Sequence, residues 1–153
     1  MSCNKYKNRN YKSALQFYSA TQQPLAATNL IANPITVSLG AKVTDTGLAF
    51  EMDNNTISVE CSGLYKITAD VNIVGETAGE VYFAIALNGI VLPETIRTIT
   101  TAADIYREIH TGTVRAINLC NVLSEYNITV IAWSDGTGTT TIDRVAGNIV
   151  KLA

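Results

Sequence analysis

Between residues 58 and 74 the chain reads SVECSGLYKITADVNIV, and apolar and polar residues alternate through almost all of it. Val59, Cys61, Tyr65, Ile67, Ala69, Val71 and Ile73 fall on odd positions, while Glu60, Ser62, Lys66, Thr68, Asp70 and Asn72 fall on even ones. Successive side chains of a strand point to opposite faces, so the pattern specifies β structure with one buried and one solvated side. A single strand of that length would span roughly 50 Å, longer than strands usually run. Gly63, inside the pattern, is therefore expected to turn a corner between two strands, 56–61 and 64–74. Glycine adopts backbone angles that other residues avoid. Both strands then feed one core.

Turn-forming residues divide the rest of the chain into further strands. SALQFYSA (13–20), ITVSLGAKV (35–43) and TGLAFEM (46–52) read as strands, and Asp53-Asn54-Asn55 forms a turn before the alternating stretch. In EVYFAIAL (80–87) both faces are apolar: Val81, Phe83, Ile85 and Leu87 on one, Tyr82, Ala84 and Ala86 on the other. Such a strand is covered on both sides, which makes Tyr82, Ala84 and Ala86 the candidate subunit-interface residues. Asn88-Gly89 signals a type I′ hairpin. Strands are also expected within 105–119, interrupted near Gly112, and over 126–133, with GNIVKLA closing the chain. No segment demands a helix. The expected architecture is an all-β antiparallel sandwich, a jelly roll of about eight to ten short strands.

The length of 153 residues suits one domain. Only 16% of residues are charged against 47% hydrophobic. That is less charge than usual, which points to apolar surface covered by a partner. No apolar run approaches the ~18 residues of a membrane helix, and MSCNKYKNRNYKS lacks the apolar core of a secretory signal. Charge is distributed unevenly. Residues 1–44 hold five bases and no acid, and residues 45–153 hold thirteen acids against six bases, so the net −2 divides into +5 and −7. Two readings fit: a solvated basic tail, or an arm that docks on an acidic surface. The second is adopted, with residues 1–18 as an anchoring arm and 19–153 as the jelly roll. In that arm Lys5, Lys7, Arg9 and Lys12 supply charge, and Tyr6, Tyr11 and Phe17 supply area to bury. Without a basic face on the domain, nucleic acid is not an expected partner.

Signals of chemistry are sparse. Cys3, Cys61 and Cys120 form no CxxC pair, and Cys61 reads as a small buried hydrophobe. With one histidine, His110, a zinc site would need unusual ligands, so no metal or cofactor is expected. Any hydrolytic triad would have to run through His110, but no nucleophile elbow, phosphate loop or dinucleotide fingerprint accompanies it. The sequons at Asn54 and Asn127 have no secretory signal to give them meaning.

The order of segments resembles a family. ISVECSGLYKITADV resembles the strand, Gly-x-Tyr, strand signature of the complement globular-head and tumour-necrosis-factor-like jelly rolls. EVYFAIALNGIVLP resembles their apolar hairpin, TVRAINLCNVLSEYNITVIAW their paired late strands, and GNIVKLA their closing strand. The bacterial and phage branch, with LNG-x-x-LP and QFYSATQQPLAATN, is the most similar; it includes distal domains of collagen-like spore-surface glycoproteins and small virion proteins of tailed phages. The resemblance implies a homotrimer with a structural role, as a non-enzymatic head fibre or capsid decoration located on the virion and assembled in the host cytoplasm. The arm would hold a capsid or other virion protein, and the jelly roll would contact the host surface, weakly binding glycans. A receptor-binding tail tip, a spore-surface or cytokine-like binding module, and a hydrolase using His110 are the alternatives. The absence of a Gly-X-Y stalk weakens the spore-surface version.

Overall fold

A computed structural model of the chain describes residues 13–47, 49–119 and 126–153. In chain order its strands are β1 (Ala14–Ser19), β2 (Gln23–Leu25), β3 (Ile35–Thr36), β4 (Ala41–Thr46), β5 (Phe50–Met52), β6 (Ile57–Val59) and β7 (Gly63–Thr77). After these come β8 (Gly79–Leu87), β9 (Ile90–Val91), β10 (Arg97–Thr101), β11 (Tyr106–Ile117), β12 (Tyr126–Ser134) and β13 (Thr139–Lys151). A 3₁₀ turn, Pro93–Thr95, stands before β10. Two antiparallel sheets result. One runs β11-β7-β13-β1-β4 with β2 beside β13, and the other runs β10-β8-β12-β6-β5 with β3 beside β12 and β9 beside β8. This is the expected jelly-roll sandwich.

The strands are not all short. β7 has fifteen residues, β13 thirteen and β11 twelve. β7 sustains that length because it is hydrogen-bonded on both sides, pairing with β11 from Gly63 to Val74 and with β13 from Tyr65 to Thr77. Its odd residues Tyr65, Ile67, Ala69, Val71 and Ile73 all enter the core.

The corner inside the alternating stretch spans Glu60, Cys61 and Ser62. There the chain leaves β6, in one sheet, for β7, in the other. Val59, Cys61 and Tyr65 face the same core across the switch, and the Tyr65 hydroxyl donates to the Cys61 carbonyl at 2.5 Å. Gly63 plays a different part from the one expected. Its φ is not positive. A β-carbon there would run into the Ala153 carbonyl and the Lys151 side chain, since Leu64 N–H donates to that same carbonyl at 2.9 Å. Close approach of the C-terminus, not unusual backbone angles, selects glycine.

β1 corrects the boundary of the arm. Leu15 and Phe17 lie in the hydrophobic core, and β1 is held by β13 on one side and β4 on the other. Phe17 is thus a core residue and residues 13–18 belong to the jelly roll. Lys5, Tyr6, Lys7, Arg9, Tyr11 and Lys12 lie outside the described residues.

Candidate subunit interface

β8 does have two covered faces, but the cover comes from its own chain. Val81, Phe83 and Ile85 point into the core. On the opposite face Ala84 and Ala86 are both 0% exposed. Their small side chains stand in register with Ile131 and Thr129 of β12, and larger neighbours shield an alanine without any partner. Tyr82 stacks on Trp133 with ring centroids 5.3 Å apart and planes 6° apart, an offset that aromatic quadrupoles favour. Its hydroxyl donates to Glu80 at 2.9 Å. Ala84 and Ala86 are therefore not surface contacts, and Tyr82 is tied into an intrachain stack. The expected subunit contact is corrected for Ala84 and Ala86, which are buried within one chain; Tyr82 is half-buried in its stack on Trp133.

The other sheet offers a different surface. Its inner residues fill the core, so its outer face is read from the register. His110, Asp70, Ala146, Tyr18 and Ala41 form one cross-strand row over five strands. Gly112, Thr68, Asn148, Gln16 and Thr44 form the next, tied by Thr68 Oγ1 to Asn148 Oδ1 at 3.0 Å and Thr44 Oγ1 to Gln16 Oε1 at 3.0 Å. Val114, Lys66, Val150, Ala14 and Thr46 follow, and then Ala116 with Leu64.

Four large apolar side chains stand out on this face: Tyr18 at 41%, Leu64 at 37%, Val114 at 52% and Tyr106 at 72% exposure. A row of uncharged Gly, Thr, Asn and Gln runs between them. Exposed large apolar side chains set among uncharged polar residues are a property of contact sites. The signal was present in the sequence: Leu64 and Val74 interrupt the polar side of the alternating stretch, and Val114 and Tyr106 sit in the segment around Gly112.

His110 lies on this face, where its Nδ1 pairs with the Asp70 carboxylate directly across the strand. The hairpin between β8 and β9 turns on Asn88 and Gly89, with φ of 50° and 78°, the left-handed pair that a type I′ turn requires. Ser13 meets the end of β13, where its carbonyl accepts from Lys151 N–H at 2.8 Å. Ser13 thus lies at the end of the sandwich that also holds the C-terminus and Gly63. The opposite end carries the loop between β12 and β13. There Asp135 Oδ1 accepts from the Thr137 and Gly138 N–H groups, each at 2.9 Å. Those backbone donors, that of Gly138 foremost, hold its carboxyl well below the usual carboxylate range.

Among the described residues, no cluster of His, Cys, Asp and Glu could hold a metal ion, and no helix is long and apolar enough to cross a membrane.

No protein-family model and no curated protein matches the chain in sequence. Solved structures do match in shape. Murine APRIL at pH 5.0 superposes with a TM-score of 0.66 at 15% identity, covering 93% of this chain and 100% of that one. PRD1 vertex protein P5 gives 0.64 at 16% identity, covering 92% and 97%. The globular domain of zebrafish complement 1qA gives 0.63 at 9% identity, covering 94% and 98%. The fold is that of the tumour-necrosis-factor-like and complement-like jelly rolls.

Proposed function

We propose that this protein is a non-enzymatic virion structural protein of a tailed bacteriophage. In this reading three copies associate through the outer face of the β11-β7-β13-β1 sheet and stand on the particle as a head fibre or capsid decoration. The observation that carries it is that face, with Tyr18, Leu64, Tyr106 and Val114 exposed in one chain. A second copy is the occupant that suits it. Lys66 and Arg144 sit on it with Asp70 and Glu108, so the face carries both signs and a copy of itself can set opposite charges against each other. Similarity to a vertex protein over nearly the full length of both chains supports a place on a virion.

Residues 1–12 serve as the anchor. Ser13, the residue that follows them, lies beside the end of β13, which leaves the opposite end of the sandwich, with the Asp135 loop, to project outward and contact the host surface or its glycans. Four bases steer the arm to an acidic capsid surface, and Tyr6 and Tyr11 supply the apolar contact. Three arms on one trimer bind together and multiply a weak single contact.

A binding module, on a tail tip or a cell surface, is the second reading, favoured by the likeness to APRIL and to the complement globular domain. Immunogold labelling of intact phage particles separates the two. Label over the heads supports decoration, label at the tail tip transfers the protein to receptor binding, and purified particles without the protein overturn the virion reading.

A further inference from the structure

We infer that the protonated His110–Asp70 pair is part of the surface on which copies of this chain associate, so that association tightens in mild acid and loosens in mild alkali. The inference rests on the proposed self-association through the same sheet.

In one chain both groups face solvent: the His110 side chain is 69% exposed and that of Asp70 40%. They stand opposite each other on β11 and β7, with imidazole Nδ1 against the carboxylate. The surroundings are the parts a second copy would cover: Gly112 and Thr68 in the adjoining row, Ala146 and Tyr18 along the same row. Burying a carboxylate without a counter-charge is costly, and burying a matched, hydrogen-bonded pair is less so. The imidazolium form makes that pair. The neutral ring still donates one hydrogen bond but leaves the negative charge of Asp70 to be desolvated.

The other charges on the face act in the same direction. β7 contributes Lys66 and Glu76, β11 contributes Glu108, and the irregularity in β13 opposite Asn72 contributes Asp143 and Arg144. Lys42 and Asp45 on β4 pair with each other at 3.2 Å at the far edge. Before His110 takes a proton, acids therefore outnumber bases around it, and each copy brings that excess to the contact. Protonation reduces it. Histidine is the side chain that changes charge between about pH 5 and 8, and this chain has one.

The test is sedimentation equilibrium of the full chain from about pH 5.5 to about pH 8.5, with His110→Gln, Asp70→Asn and His110→Lys alongside. Circular dichroism at each pH confirms that every variant is folded. The wild-type equilibrium is expected to shift from the associated form toward monomer as the pH is raised to the alkaline end. His110→Gln loses the pH dependence, and Asp70→Asn, whose imidazolium has no carboxylate to face, loses the tightening in acid. His110→Lys, a fixed cation facing Asp70, keeps tight association at the alkaline end. A wild-type trimer indifferent to pH, or a pH dependence that survives in His110→Gln, overturns the role of the pair and leaves the trimer standing. A monomer at every pH and concentration overturns both the trimer and this inference.

Discussion

The ring of Phe17 occupies the space that a β-carbon on Gly147 would need. The two residues are cross-strand partners of β1 and β13, so the absent side chain on one strand is the seat of the aromatic side chain on the other. The Thr68 carbonyl crowds the same point from β7. Gly147→Ala must displace either a backbone oxygen or a core ring, and overpacking of this kind costs about 1–3 kcal/mol. Phe17→Ala empties the seat and should cost about 3–5 kcal/mol. Chemical denaturation of the two variants measures both values, and a neutral Gly147→Ala would mean that the strands separate more easily than this packing implies.

Gly89 offers the contrasting case. Nothing lies within 4 Å of a β-carbon built there, yet its φ is 78°. Gly89→Ala should therefore cost only the left-handed backbone term, about 1–2 kcal/mol. Thermal unfolding checks it. A cost equal to that of Gly147→Ala would mean that the turn is packed as well as strained.

The Asp135 loop predicts a pH effect on stability. Backbone N–H groups from Gly138, Thr137 and Glu80 favour the ionised carboxylate and depress its pKa in the folded chain. A depressed folded value stabilises the fold above the unfolded pKa and loses that contribution as pH falls below about 4. Asp135→Ala should melt below the wild type at neutral pH, with the gap closing in acid. A gap that is constant down to the acid limit would show that the side chain acts through shape and not charge.

Substitutions on the two sheets should separate assembly from folding. Leu64→Asp and Val114→Asp place a charge on the exposed face of β7 or β11 and should yield a folded monomer, because an unpaired charge is costly to bury between subunits. Ala84→Asp puts the charge at a site with no exposure in one chain and should prevent folding. Light scattering and circular dichroism distinguish the outcomes. Leu64→Asp and Val114→Asp proteins that both assemble as the wild type would move the contact elsewhere.

Truncation at the N-terminus tests the revised boundary. Deleting residues 1–12 should leave a folded, self-associating protein that no longer joins particles. Deleting residues 1–18 removes β1 with Leu15 and Phe17 and should abolish folding. If the shorter deletion decorates particles normally, the anchor lies outside the arm.

By itself the sequence determined what depends on local periodicity. The odd residues from Val59 to Ile73 had to share a core because side chains of a strand alternate, and Asn88-Gly89 favoured a tight hairpin because both residues tolerate positive φ. Only the tertiary structure decided what depends on distant neighbours. Ala84 and Ala86 were apolar enough to meet a partner, but both were already buried within their own chain. Phe17 was aromatic enough to anchor an arm, but Gly147, 130 positions along the chain, left room for its ring in the core. Gly63 looked like a turn residue, but the returning C-terminus gave the reason for it. Alternation specifies that a face is buried, and says nothing about which part of the chain, or which other molecule, does the burying, because desolvation depends on whatever arrives from elsewhere in space.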